Sequence, residues 1–186
     1  MPLLKIRGLM ALAALAAVCL IGCSTRYASS PGMTPAVASL EAGQKAYIAG
    51  AADGSYGAKV YPGSGLKTSQ LLQKAVSAQG SPAIMGGGRQ SVEVALESAQ
   101  AAGCRYMFYP QLTLWEPRAA AWSGRATKVE LIVYVYDLSH SAADQLIKQQ
   151  YLGGKGRNVT LISQDPEDIL ENLLAQFAKE AYGRRI

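Results

Sequence analysis

The first 22 residues constrain the fold most, because their pattern is that of a segment removed from the mature protein. Two basic residues, Lys5 and Arg7, precede an apolar run from Leu9 to Ile21, and small Gly22 follows the run. This order is typical of a secretory signal. A helix needs about 20 apolar residues to cross a bilayer, and the run is shorter than that. We therefore expect residues 1–22 to be a signal peptide rather than a membrane helix or part of the core.

The end of this segment, Leu20-Ile21-Gly22-Cys23, resembles the bacterial lipobox, where a diacylglyceryl group is attached to the cysteine sulfur before cleavage. The resemblance implies that Cys23 becomes the lipidated first residue of the mature chain. Each buried acyl methylene contributes about 0.8 kcal/mol to membrane binding, so the anchor is stable. Ser24 stands where an aspartate would favour retention in the inner membrane. We expect an outer-membrane anchor facing the periplasm. The alternative is an ordinary secretory signal with a fortuitous Cys23.

Cysteine usage and charge exclude two further classes. Cys104 is the single cysteine left once Cys19 is removed with the signal and Cys23 is lipidated, so an internal disulfide is excluded and a small core residue is expected. Losing Lys5 and Arg7 lowers Lys+Arg from 18 to 16 against 13 Asp+Glu, which takes the net charge from +5 to +3. The basic residues are scattered, and we expect no nucleic-acid partner.

The mature chain divides into a tether and a single domain. Residues 23–43 are rich in Ser, Pro, Gly, Ala and Thr, with scarcely a large apolar side chain. Such a composition cannot bury enough surface to offset its ordering entropy, so we expect a lipidated, flexible tether. Residues 44–183 have the length of one globular periplasmic domain with one core.

Five segments of this domain predict strands, because they are rich in branched and aromatic residues or alternate in polarity. They are 47–49, 83–85, 106–115, 129–136 and 145–152. The last two are separated by a turn near Ser139-His140-Ser141, which predicts an antiparallel hairpin with an exposed polar edge.

Three helices are predicted between and after these strands. The first begins near Gly63-Ser64-Gly65 and ends at Gly80, and the second begins at Ser91 and ends at Gly103. The second is expected to turn Val94, Ala95, Leu96 and Ala99 inward. The third begins with Asp165 as N-cap, Pro166 in the first helical position, and Glu167 and Asp168 near the unpaired amides.

The resulting order is β-α-β-α-β-β-β-α. It predicts an α/β protein of the α+β type, with a mixed sheet of about five strands and three helices packed mainly on one face.

Candidate chemistry is sparse. His140 is expected to be a surface turn residue, and without a second histidine or a cysteine pair we predict no catalytic residue, no metal site and no cofactor. Three glycine pairs or triplets resemble anion-binding turns but lack the required context, so we interpret them as turn-forming glycines. They are Gly63-Ser64-Gly65, Gly86-Gly87-Gly88 and Gly153-Gly154.

One segment differs, since Trp115, Glu116, Arg118 and Trp122 follow one another where the chain leaves a core strand. Exposed indoles could stack on a sugar or anchor a protein contact, while Arg118 offers a planar donor to a carboxylate or phosphate. The alternative is that both rings cap the sheet edge and that Glu116 pairs with Arg118.

Several motifs together resemble a family of Gram-negative envelope lipoproteins defined by a domain of unknown function, number 4823. They are Ala52-Asp53-Gly54-Ser55-Tyr56-Gly57, Val60-Tyr61-Pro62-Gly63-Ser64-Gly65, Tyr109-Pro110, Trp115-Glu116 with Arg118-Ala119, Trp122-Ser123-Gly124, Val129 to Asp137, and Asp165 to Leu170. The resemblance implies an envelope lipoprotein and a domain shape, but no activity. The order of elements is also similar to small periplasmic modules of other envelope lipoproteins, which is an analogy of fold alone.

Three functional hypotheses follow, in this order of preference. The first is a non-enzymatic interaction domain that binds an envelope protein or associates with itself. The second is a glycan or small-ligand binder that uses Trp115 and Trp122. The third is a hydrolase that uses Glu116 or Asp53.

Overall fold

The structure is a computed structural model that describes residues 26–31, 39–117, 126–140, 145–156 and 164–183. The predicted signal peptide and Cys23 lie outside these ranges. The described strands are β1 Arg26–Pro31, β2 Ala46–Ile48, β3 Ser55–Tyr56, β4 Lys59–Val60, β5 Ala83–Met85, β6 Tyr106–Glu116, β7 Lys128–Asp137 and β8 Leu146–Lys155. The described helices are α1 Ser64–Ser77, α2 Val92–Ala101 and α3 Pro166–Ala181. None of these helices is both long and apolar enough to span a membrane.

The predicted α+β class with a mixed sheet and three helices is confirmed. The main sheet has the order β1-β8-β7-β6-β2-β5. Strand β2 is parallel to both β5 and β6, whereas β6, β7, β8 and β1 are antiparallel to their neighbours. The short strands β3 and β4 form a separate antiparallel hairpin.

Strand β1 lies within the segment that composition predicts to be a tether. Arg26 stands opposite Lys155 and Pro31 opposite Gln150, so this part of residues 23–43 is paired in the sheet. The pairing joins backbone groups, and side-chain composition does not reveal it. It also covers the outer edge of β8, so the prediction of an exposed hairpin edge is wrong.

The two faces of the sheet carry separate cores. Ala46 and Ile48 of β2 face the main core, where α1 and α3 pack, while Tyr47 faces the second core, which α2 covers. Cys104 is buried in the second core as predicted, and burial raises the pKa of its thiol. Helix α2 buries Ala95 and Ala99 and packs Leu96 against the second core, as predicted, whereas Val94 is 49% exposed. Residues four apart share a helix face, so Ala95 and Ala99 face the sheet together.

The helix beginnings follow the predicted signals. The Ser91 side chain accepts a hydrogen bond from the Val94 amide at 3.4 Å, and Pro166 opens α3. Asp165 occupies the N-cap position of α3, but its backbone carbonyl rather than its side chain accepts the Asp168 amide, at 3.1 Å.

The prediction that Gly153-Gly154 forms a turn is wrong, because both residues lie inside β8. A Cβ atom on Gly154 would lie 2.3 Å from Cγ2 of Ile169. The glycine therefore lets α3 pack directly on the strand.

Candidate functional site

A depression in the surface lies where two parallel strands end. The loop after β2 leads to α1 on one face of the sheet, and the loop after β5 leads to α2 on the other face. Where crossover connections diverge in this way, α/β sheets form a crevice beyond the carboxyl ends of their strands, and ligands bind there. In this protein the crevice has a volume of about 520 Å³.

Backbone contact between the two loops shapes the crevice. A Cβ atom on Gly50 would lie 1.4 Å from the carbonyl oxygen of Gly88, so the loops touch with no space for a side chain. The backbone amide of Gly50 donates to the side-chain Oε1 of Gln90 at 3.1 Å, and the backbone amide of Gln90 donates to the carbonyl oxygen of Gly50 at 3.0 Å. These reciprocal hydrogen bonds fix the two loops to each other.

Side chains on α1 fix the first loop to that helix. The Ser69 hydroxyl accepts from the Ala51 amide and donates to the carbonyl of Ala49, both at 3.0 Å. In return, Oδ1 of Asp53 accepts the amide of Gly65 at 2.8 Å, near the start of α1. A carboxylate is favourable at this positive helix end, so Asp53 has a structural role.

The rim of the crevice is unusually apolar for a solvent-facing surface. Val60 is 55% exposed and Leu66 is 53% exposed, and both line the crevice. These are two of the five large hydrophobic residues that are exposed in the described ranges. Clustered exposed apolar side chains mark interaction sites, and exposed Arg89 adds one positive charge at this rim.

The structure places Trp115 in the main core, where the residue is 6% exposed. This burial agrees with the alternative in which the ring packs as part of the sheet. Glu116 is also buried, and it pairs with Lys128 of the neighbouring strand at 3.6 Å. Arg118 and Trp122 lie outside the described residues, so binding through them stays a prediction.

A second, shallower hollow of about 390 Å³ lies beside the crevice, and Trp115 forms part of its wall. Gly63 and Leu66 line both depressions. The crevice and the second hollow therefore lie on either side of one short segment of chain. Lys67 and Glu167 form an ion pair at this hollow, at 2.9 Å. Both side chains are substantially exposed, so solvent screens the pair and it contributes little stability.

His140 is half exposed, and its Nδ1 lies 3.3 Å from Oδ2 of Asp137. Asp137 also accepts hydrogen bonds from Ser139 and from Arg105. Burial would raise the pKa of the Asp137 carboxyl, but these hydrogen bonds outweigh it and hold that pKa below its usual value. The cluster braces the end of β7, since the Ser139 hydroxyl donates to the carboxylate at 2.8 Å. Within the described ranges, no group of three or more His, Cys, Asp and Glu residues is placed to hold a metal.

The crevice is not predicted from the sequence. Gly63-Ser64-Gly65 and Gly86-Gly87-Gly88 look like separate turns there, whereas the structure brings glycines of both to one site. The sequence does contain a signal for the crevice, because a glycine, Gly50 or Gly86, follows each of two short apolar strands. These glycines indicate a shared site only if β2 and β5 are parallel neighbours, and the sequence of the two strands does not reveal that pairing.

Solved structures share this fold at low sequence identity. The PelC dodecamer from Paraburkholderia phytofirmans matches with a TM-score of 0.63 and 15% identity, over 87% of this chain and 100% of that chain. A single-residue variant of the same dodecamer matches with a TM-score of 0.64 and 13% identity, over the same shares. Protein XCC0632 from Xanthomonas campestris matches less well, with a TM-score of 0.44 and 17% identity, over 81% of this chain and 88% of that chain.

No curated protein matches the sequence. The model of a family described as a domain of unknown function, DUF4823, matches residues 38–181, which include every described element except β1. That range is most of the chain and contains the crevice, the second hollow and both cores, apart from Tyr182 of the main core. The chain therefore belongs to the DUF4823 family.

Proposed function

We propose that the protein is an outer-membrane lipoprotein whose periplasmic domain is a non-enzymatic interaction module, and that copies of it associate through the rim of the crevice. The observation that carries the proposal is the exposure of Val60 and Leu66 at an open depression. Two large apolar side chains facing solvent at one site are best explained by a surface that covers them in an assembly.

Two further observations support association over catalysis. The PelC structures that share the fold over their whole length are dodecamers. The carboxylates considered for a hydrolase have structural partners, since Asp53 caps α1 and Glu116 pairs with Lys128. A general acid or base needs a carboxylate that faces a substrate in a defined geometry.

The proposed anchor rests on the amino-terminal segment. A basic start, a short apolar run and the sequence Leu20-Ile21-Gly22-Cys23 favour lipidation at Cys23, and Ser24 favours the outer membrane. A tethered module on a membrane surface meets its partners at high effective concentration, which suits weak contacts repeated around an assembly.

Replacing both rim residues, Val60→Ser and Leu66→Ser, is expected to convert assemblies into monomers, because the contact loses its apolar centre. The measurement is molar mass by light scattering after size exclusion, on the mature chain carrying Cys23→Ser. Val94→Ser is the matched control, since Val94 is 49% exposed on the opposite side of the sheet. The proposal is contradicted if the wild-type protein is a monomer at about 100 μM, or if the double variant keeps the molar mass of the assembly.

Cys23→Ser in the full precursor is expected to move the protein from the membrane pellet to the soluble periplasmic fraction, because the acyl chains provide the anchor. Cys104→Ala, which alters the buried thiol, should leave the protein with the membrane. Fractionation and intact mass of the mature amino terminus measure both effects. Wild-type protein found soluble, with an unmodified amino terminus, would refute the anchor.

A further inference from the structure

The face of the sheet opposite α1 and α3 carries polar and aromatic side chains along β6, β7 and β8. Val129, Leu131, Val133 and Val135 of β7 are buried in the main core, so the residues between them point to this other face. Strand register then fixes the neighbours of each residue. We call this surface the tyrosine face, and it consists of Gln111, Glu130, Ile132, Tyr134, Gln149 and Tyr151.

Among the described helices, only α2 covers this side of the sheet, and it does so at one end. Helix α2 packs on β6. At this end of the sheet, Tyr109 of β6 and Tyr136 of β7 lie against the second core. The helix that packs on β7 and β8 is α3, which lies on the other face. Each residue of the tyrosine face is accordingly half-buried or exposed rather than buried.

Tyr151 packs over its strand neighbour Gly153. A Cβ atom on Gly153 would lie 3.2 Å from the Tyr151 hydroxyl oxygen and 3.3 Å from its Cε1, so the ring occupies the space that a side chain at Gly153 would fill. Gly153 therefore helps to position the ring, and Tyr151 stays partly exposed on this face. Burial and a hydrogen bond with Glu130 raise the pKa of the Tyr151 hydroxyl to about 12, so the phenol stays neutral near pH 7.

Tyr134 provides a second ring close to the first. Its centroid lies 6.3 Å from that of Tyr109, with 59° between the planes, and its hydroxyl donates to Oε1 of Gln111 at 3.3 Å. Register places Gln149 beside Tyr134, and Ile132 between Gln111 and Tyr151. Diagonal neighbours on adjacent strands are about 7–8 Å apart, so the two rings and two carboxamides form one compact patch.

Charged residues of both signs lie on this side of the sheet. Two carboxylates, Glu116 and Glu130, share it with Lys128 and Lys155, and Arg26 of β1 stands opposite Lys155 in the register. The six residues of the tyrosine face itself include one carboxylate, Glu130, and no basic group that would select an anionic polymer. Ile132 is the one aliphatic side chain among its six residues, and half-buried Leu114 stands beside the face, opposite Glu130.

We infer that the tyrosine face binds an uncharged polysaccharide, whose sugar rings stack on Tyr151 and Tyr134 while the carboxamides hydrogen-bond its hydroxyl groups. A pyranose ring has apolar C–H groups on its faces and hydroxyl groups around its edge. Flat tyrosine rings match the faces, and a carboxamide, which is donor and acceptor together, matches a pair of hydroxyls. This site is separate from the crevice, and it goes beyond the proposed association.

The test is calorimetric titration of the mature chain carrying Cys23→Ser with three probes: cellohexaose, chitohexaose and the hexamer of galacturonic acid. At least one of the two neutral hexamers should bind. Tyr151→Ala should then weaken that binding by about tenfold or more, as expected for an aromatic anchor. Tyr151→Phe keeps the ring and should retain most of the affinity. Circular dichroism and the thermal midpoint of each variant show whether it has folded.

The rim variant Val60→Ser with Leu66→Ser should bind the neutral hexamer like the wild type, and Tyr151→Ala should keep the wild-type assembly mass. A failure of association would thus be seen separately from a failure of glycan binding. Three results overturn the inference: no heat from either neutral hexamer up to about 1 mM, tighter binding of the acidic hexamer, or a folded Tyr151→Ala that binds unchanged. Loss of assembly mass in Tyr151→Ala would do the same, because the face would then be a protein contact.

Discussion

Gly50→Ala is expected to destabilise the domain by more than about 3 kcal/mol, although the change adds a single methyl group. The new Cβ would lie 1.4 Å from the carbonyl oxygen of Gly88 and 2.6 Å from its carbonyl carbon. Both are backbone atoms, so no side-chain rotation relieves the overlap. The two loops must separate, which breaks the reciprocal hydrogen bonds between Gly50 and Gln90 and opens the floor of the crevice.

Urea denaturation followed by circular dichroism measures the effect, and Gly87→Ala is the matched control. Gly87 lies in the partner loop, and a Cβ there would have no heavy atom within 4 Å. Neither glycine has a positive φ angle, so backbone strain does not separate the two variants. The control should lie within about 0.5 kcal/mol of the wild type. Equal unfolding midpoints for the two variants would show that the loops are not in contact.

The elements that sequence predicts well are those specified by local chemistry. Asp165, Pro166, Glu167 and Asp168 define the start of α3 without reference to any other segment. The alternation along β7 likewise assigns its two faces, since every second residue is buried. In such segments one periodicity fits and the others do not, and tertiary packing reinforces the local preference.

The elements that sequence misses depend on distant partners. Strand β1 exists because β8 offers unpaired backbone groups, and its own composition resembles a tether. The pair Gly153-Gly154 resembles a turn, yet α3 covers Gly154 and the ring of Tyr151 covers Gly153. A glycine needed for close packing looks the same in sequence as a glycine needed for a turn.

The candidate site also depends on distant partners, and so it is not predicted from local sequence. The crevice requires β2 and β5 to be parallel neighbours with helices leaving to opposite faces, a relation between segments that no single motif contains. The predicted tryptophan segment shows the converse problem. Trp115 comes at the end of a strand, where the sequence cannot distinguish a ring that leaves the core from one that closes it.

Trp115→Ala is expected to lower the free energy of unfolding by about 3–5 kcal/mol, because it removes a large buried side chain and leaves a cavity. The residue is 6% exposed in the main core and stands opposite Val129 in the register of β6 and β7. The loop after β2 rests directly on it, since a Cβ atom on Gly54 would lie 2.7 Å from Cβ of Trp115. A loop packed this closely cannot collapse into the space without moving the crevice as well.

Thr113→Ala is the matched control on the same strand, because Thr113 is exposed and its loss should change stability by no more than about 0.5 kcal/mol. Chemical denaturation of both variants gives the comparison, and the thermal midpoint of Trp115→Ala should fall well below that of the wild type. A Trp115→Ala variant that unfolds at the wild-type midpoint would mean that the ring is not packed. The indole would then be available to a ligand or partner, and the interaction surface would extend from the crevice across the second hollow.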